Sequence, residues 1–221
     1  MAGDFEDWIV EGMGVEIQKT YVSPVYRGTA LPKHEEIESV LITGSSAMVT
    51  DRAEWMKYTE RWLQEAVRRR IPTLGICFGH QLLANALGGT VADNPYGVET
   101  GTITLSLDTH ASSDPLLGSV KDKISVQVCH SQVVTRLPPG ALRLAHSELD
   151  ENQSFIFGGN AWGIQFHPEF NKATVKKYVE HYRPNLLKQD RDPQWVLGHC
   201  TDTPESASLL ARFRDLSETH D

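Results

Sequence analysis

Phe5, Trp8, Ile9 and Met13 recur at helical spacing behind Asp4, so the pattern predicts a short opening helix with Asp4 as its N-cap. Val15 to Val22 then alternates apolar and polar positions as a strand does. Val40, Leu41 and Ile42 form a short apolar run halted by Gly44, Ser45 and Ser46. From Asp51 to Arg70 the periodicity is that of an amphipathic helix with Trp55, Tyr58, Trp62, Leu63 and Val67 turned inward. Arg68, Arg69 and Arg70 fall in its last turn, where cations suit the carbonyl end of the dipole, and they are read as a solvated helix end. Pro72 to Cys77 reads as a buried strand, and Phe78 to Leu87 as a helix closed by Gly88 and Gly89.

Strands interleaved with helices of this length imply an α/β fold: an open, mainly parallel sheet with helices on both faces. The middle of the chain changes character. From Thr90 to Leu107, and from Ile124 to Phe166, short alternating segments are divided by Pro, Gly and Asn, which predicts an antiparallel extension of the sheet. Phe155 to Phe166 reads as a hairpin turning at Gly159 and Asn160. A helix is expected after Pro168, running to about Tyr182. Beyond Arg183 the chain is polar and interrupted by Pro184, Pro193 and Pro204, with a helix-like stretch from Glu205 to Leu216. The expected organisation is one domain over residues 1–183, followed by a helical appendage over 184–221.

Composition narrows the function classes. The net charge of -8 gives no electrostatic footprint for a phosphate backbone, so nucleic acid is not an expected partner. No apolar run approaches the roughly 20 residues that span a bilayer, so no membrane partner is expected either. The first eight residues carry Asp4, Glu6 and Asp7 and no basic group, the opposite of a secretory signal. Three cysteines, Cys77, Cys129 and Cys200, are too few for a disulfide framework, which suits a reducing, cytoplasmic setting.

The sharpest chemical signal is Gly75-x-Cys77-x-Gly79 at a strand-to-helix junction. A nucleophile flanked by glycines two positions away on either side fits a tight elbow, since side chains there would collide. Such a turn lifts the sulfur to the carboxyl edge of the sheet, where open α/β folds place ligands. It also sets Cys77 at a helix N-terminus, which favours the thiolate. The Phe78 amide points the same way and is a natural oxyanion donor. A second donor is expected from Gly44 or Ser45, directly after the strand at Val40 to Ile42. A thiolate nucleophile needs a base and a group to orient it. His167 ends the predicted strand from Gly163 to Phe166, and Glu169 lies two residues on, on the same side of an extended segment. Pro168 between them favours that extended geometry. Cys129 and Cys200 lack this context and read as inert thiols.

With Gly75 to Gln81 (Gly-Ile-Cys-Phe-Gly-His-Gln) and Gly163 to Glu169 (Gly-Ile-Gln-Phe-His-Pro-Glu) in this order, the chain resembles the class I (triad) glutamine amidotransferases, notably stand-alone members akin to the glutaminase half of GMP synthase. The resemblance runs from about Asp4 to Tyr182. It implies a flavodoxin-like fold of that family's type and a Cys77–His167–Glu169 triad. Ammonia would be released from the glutamine side-chain amide through a γ-glutamyl thioester, with Gly44, Ser45 and Phe78 as oxyanion donors. Gln81, His130 and Ser131 would contact the substrate. Where the family typically has Ser-His-x-Asp, this chain has Cys129 and Gln132 at the outer positions, so only backbone contacts carry over there.

Two departures stand out. Family sequences open with a strand before the first helix, whereas this chain begins inside the helix, so a first strand is expected to be missing or replaced by other segments. No acceptor domain follows, so the ammonia would pass to a separate synthetase or acceptor subunit. Neither a cofactor nor a metal is expected. Two alternatives stay open: a γ-glutamyl peptidase or hydrolase with the same three residues, and a non-catalytic binding or regulatory protein on the same fold.

Overall fold

The computed structural model describes residues 4–120 and 122–219. Helix α1 spans Phe5–Met13, and Asp4 and Asp7 close a reciprocal capping box at its start. Gly14, in the left-handed region at φ 66°, ends it. The stretch from Val15 to Val22 is not a strand. It holds a single 3-10 turn at Ile17–Lys19, with Ile17, Tyr21 and Val22 exposed. Alternation there has no neighbouring strand to pair with, and an unpaired strand has no independent stability.

Strand β1 (Val40–Ile42) precedes helix α2 (Glu54–Arg68), strand β2 (Thr73–Ile76) and helix α3 (Phe78–Ala86). Strands β3 (Thr90–Asp93), β4 (Glu99–Leu107), β5 (Lys123–His130), β6 (Gln132–Arg136), β7 (Leu142–His146), β8 (Ser154–Phe157) and β9 (Ala161–Ile164) follow. Helices α4 (Lys172–His181), α5 (Arg183–Lys188), α6 (Pro193–His199) and α7 (Pro204–Glu218) complete the chain. No helix among the described residues is long and apolar enough to cross a membrane.

Seven strands form one open sheet in the order β1-β2-β9-β8-β7-β4-β5, and β3 and β6 make a separate antiparallel pair. The pairs β1–β2 and β2–β9 are parallel; from β9 outward the sheet is antiparallel. The hairpin β8–β9 turns through Gly158 and Gly159, both at positive φ. No strand precedes Val40 among the described residues, so β1 is an edge of the sheet.

Helices cover both faces. On one, Ile9 of α1 and Leu209, Leu210 and Phe213 of α7 pack with Leu74, Ile76, Trp162 and Ile164 of the parallel strands. On the other, Met56 and Leu63 of α2 pack with Phe78 and Leu82 of α3. The buried stripe of α2 is Met56, Thr59, Glu60, Leu63, Ala66 and Val67, and Tyr58 is exposed. Apolar periodicity misplaces this face because Glu60, a charged residue, holds a core position. Its carboxylate accepts from Arg52 at 2.6 Å and from Asn85 at 2.7 Å. After α4, the three prolines begin helices instead of breaking them: α5, α6 and α7 each carry Pro at one of the first two positions, where the missing N–H costs nothing.

Candidate active site

Strand register alone gathers the chemically interesting residues. Ile42 of β1 lies beside Gly75 of β2, and Ile76 of β2 beside Ile164 of β9. Three parallel strands therefore end together, and Gly44, Cys77 and His167 emerge from the same carboxyl edge. Helix α3 starts immediately after Cys77, which adopts φ 51° and ψ -104°. A positive φ in a residue with a side chain is a strained conformation of order 1–3 kcal/mol, held only where the surroundings impose it. Here they do. A Cβ on Gly75 would lie 2.4 Å from the Gly79 carbonyl oxygen, and one on Gly79 would lie 2.2 Å from that of Ile42. The two glycines let α3 fold back hard against β2 and β1 and force the elbow between them.

The His167 amide donates to the Gln127 carbonyl of β5 at 2.8 Å, which fixes the chain leaving β9. His167 Nδ1 bonds the Glu169 carboxylate at 2.6 Å, with both side chains buried. The imidazole is stacked between Phe170 (ring centroids 4.1 Å apart, planes within 6°) and Phe5 of α1 (5.9 Å, 27°). Phe170 stacks in turn on Tyr178 at 5.0 Å. Aromatic faces of this kind favour the charged imidazolium. A Cβ on Gly44 would sit 2.9 Å from His167 Cε1, so Gly44 backs directly onto the ring. Ser45 is exposed, and its hydroxyl accepts from the Ala47 amide at 3.1 Å. Phe78 is the first residue of α3, where amides have no intrahelical acceptor.

The electrostatics favour a thiolate–imidazolium pair. Burial raises the Cys77 pKa, but the charge and hydrogen bond of His167, and then the charge of His130, outweigh it and hold the thiol below its ordinary value. Burial lowers His167, yet Glu169 and Cys77 together raise it to about 10. The Cys77 sulfur also lies 3.8 Å from the Cys129 carbonyl oxygen at the end of β5. Cys129 and Cys200 are buried free thiols whose pKa values burial raises. His80, next to the elbow, packs on Phe155, and burial lowers its pKa to about 3, so it is neutral.

Gln81, in the first turn of α3, donates its amide to the Gln132 carbonyl at 2.8 Å and to Gln165 Oε1 at 3.0 Å. His130 is 4% exposed, and both of its ring nitrogens are engaged within the protein, with Glu99 Oε2 at 2.9 Å and the Gln132 carbonyl at 3.1 Å. The Ser131 carbonyl accepts from the Asn94 amide at 2.8 Å. The structure thus brings Gln81, His130 and Ser131 to one corner beside Cys77. Glu99, Ser147, Gln153 and Gln165 complete that corner and have no signature in the sequence, because each is a single polar residue from a different segment.

A family model described as glutamine amidotransferase class-I matches residues 10–181. The corresponding subunit of a glutamine-hydrolyzing GMP synthase from Sulfolobus acidocaldarius is 34% identical over 158 residues, covering 70% of this chain and 77% of the relative. Gamma-glutamyl peptidase 5 of Arabidopsis thaliana is 27% identical over 159 residues, covering 71% and 63%. The chain spans 57% of the length of a Saccharomyces cerevisiae protein named for glutamine amidotransferase activity, at 34% identity over 147 residues. A Thermotoga maritima glutamine amidotransferase crystal structure superposes with a TM-score of 0.77 at 26% identity, covering 98% of this chain and 92% of that one. Sequence match and superposition agree with the sheet order and the elbow described above: the chain belongs to the class-I glutamine amidotransferase family.

Proposed function

We propose that this chain hydrolyses a γ-glutamyl amide, with free glutamine as substrate, through a thioester on Cys77. The observation that carries this reading is the strained Cys77 at the carboxyl edge of β2, facing an imidazole whose far nitrogen is held by Glu169 at 2.6 Å. With Nδ1 occupied, Nε2 is the nitrogen that serves the sulfur. The thiolate attacks the side-chain carbonyl carbon, and the Phe78 amide with an amide of the Gly44–Ser45 turn takes the developing oxyanion. The imidazolium of His167 gives its Nε2 proton to the leaving nitrogen, the C–N bond breaks, and ammonia departs. A water, deprotonated by His167, then attacks the thioester carbonyl and restores the thiol and glutamate. Gln81 and the backbone around His130 and Ser131 hold the amino-acid head. The Sulfolobus relative is named as one subunit of its synthase, which supports a separate partner that consumes the ammonia.

Similarity to a gamma-glutamyl peptidase favours a second reading, in which the same groups cleave a γ-glutamyl peptide bond. Ammonia release from L-glutamine, set against glycine release from γ-glutamylglycine by the full chain, separates the two. Under the first reading glutamine has the higher kcat/KM, and a hundredfold preference for the dipeptide would reverse the assignment.

The role of Glu169 is open to a pH test. Glu169 raises the His167 pKa, so the charged imidazole persists until the pH passes about 10. In Glu169→Gln the raising charge is lost. The alkaline limb of kcat/KM should then fall by about one to two pH units, and turnover at neutral pH should drop by about a hundredfold. An unmoved alkaline limb would remove Glu169 from this role.

A further inference from the structure

We propose that Glu99 is a positioning residue: by holding His130 it locks the His130–Gln132 turn against Gln81 and so sets how tightly the γ-glutamyl head group is bound. The inference rests on γ-glutamyl amide hydrolysis at Cys77 and adds to it a residue outside the three that face the reacting bond.

Glu99 opens β4 directly opposite His130 of β5 and is 3% exposed. Its carboxylate accepts from His130 Nε2 at 2.9 Å, Gln153 Nε2 at 2.7 Å and Ser147 Oγ at 2.9 Å. These donors come from β5, from the residue just before β8 and from the residue just after β7, so one carboxylate ties together segments far apart in the chain. The other ring nitrogen of His130 faces the Gln132 carbonyl at 3.1 Å, an acceptor only. A neutral imidazole has one N–H; a carboxylate on one side and a carbonyl on the other require two. The hydrogen-bond geometry therefore makes His130 an imidazolium, and Glu99 is its counter-charge.

The chain of bonds continues toward the nucleophile. The Gln132 carbonyl that accepts from His130 also accepts from Gln81 Nε2 at 2.8 Å, and the Gln81 backbone amide donates to the Cys77 carbonyl at 3.1 Å. Glu99, His130, Gln132, Gln81 and the elbow thus form one unbroken path. With both ring nitrogens occupied, His130 acts by fixing its turn, not by touching the substrate itself. The charged groups around the imidazole are Glu99, the thiol of Cys77 and Asp150, a buried carboxyl in the turn between β7 and β8 whose pKa burial raises to about 6. A buried ion pair adds little net stability compared with an apolar replacement, so a purely structural role accounts poorly for this one.

The decisive variant is Glu99→Gln in the full chain. An amide offers one acceptor oxygen where three donors converge, so one donor meets an NH2 group and His130 loses the charge that needs two acceptors. KM for L-glutamine, or for γ-glutamylglycine if that is the better substrate, should rise about tenfold or more while kcat changes less than about threefold. Iodoacetamide, which has no amino-acid head, should still alkylate Cys77 at pH 8.5 at a rate within about threefold of the wild type. Should Glu99→Gln fail to fold, Ser147→Ala takes its place: removing one of the three donors should raise KM by about two- to fourfold. An unchanged KM in a folded variant overturns the proposal, as does an equal fall in kcat, alkylation and thermal stability with no rise in KM. A wild-type chain that neither turns over nor alkylates at Cys77 instead overturns the reading of the site itself, and this inference with it.

Discussion

Replacing Cys77 with alanine is expected to leave a folded chain that releases no measurable ammonia from glutamine, a loss of about 10⁴-fold or more in kcat. The side chain removed is small and sits at the tip of a strand, so little packing is lost with it. What disappears is the only nucleophile the site presents. Cys129 lies at the end of β5 with its thiol held protonated by burial, and Cys200 bonds the Val196 carbonyl at 3.3 Å, so neither substitutes for it. Cys77→Ser should be nearly as inactive, because a serine hydroxyl is far harder to ionise than a thiol that His167 already holds below its ordinary pKa. Coupled measurement of ammonia release and of the thermal midpoint checks both halves of the expectation. Residual turnover within tenfold of the wild type would mean that the chemistry runs elsewhere.

The largest expected effect on stability comes from Gly79→Ala. Its new methyl group would lie 2.2 Å from the Ile42 carbonyl oxygen, 2.7 Å from Ile42 Cβ and 2.8 Å from the Ile42 carbonyl carbon. Backbone cannot swing aside as the end of a flexible side chain can, so α3 must retreat from β1. The cost is expected to be about 3 kcal/mol or more, a large share of the stability of an ordinary domain. Retreat of α3 also moves the elbow, so activity should be lost even in molecules that stay folded. Thermal unfolding should show a midpoint lower by about 6 °C or more. A midpoint within about 1 °C of the wild type would show that the close approach of α3 to β1 is not what shapes the elbow.

How far the sequence reveals this molecule depends on whether the information is local. Helix α1 is legible because its cap, its apolar stripe and its terminating glycine all lie within one short segment, Asp4 to Gly14. The elbow at Cys77 is legible because the glycines that relieve the collisions are its near neighbours, and the structure shows what each avoids. The approach of His167 to Glu169 is equally local, two residues apart on an extended segment. Where tertiary partners decide, the pattern misleads. Val15 to Val22 alternates like a strand but has no strand beside it, and the periodicity of α2 slips because Glu60 is buried among partners from Arg52 and Asn85. Pro184, Pro193 and Pro204 interrupt the sequence and yet start helices, since a proline reads alike on either side of a helix boundary. The polar corner around Glu99 and the stacking of Phe5 on His167 are least visible, because they join segments far apart in the chain.

The most direct test of the central claim is the site of covalent capture by a glutamine-mimicking electrophile such as 6-diazo-5-oxo-norleucine, read by peptide mass spectrometry. A nucleophilic Cys77 predicts one adduct on the peptide that carries it, suppressed by excess glutamine and absent in Cys77→Ala. An adduct on Cys129 or Cys200, or none on Cys77 while the chain still hydrolyses glutamine, would contradict it.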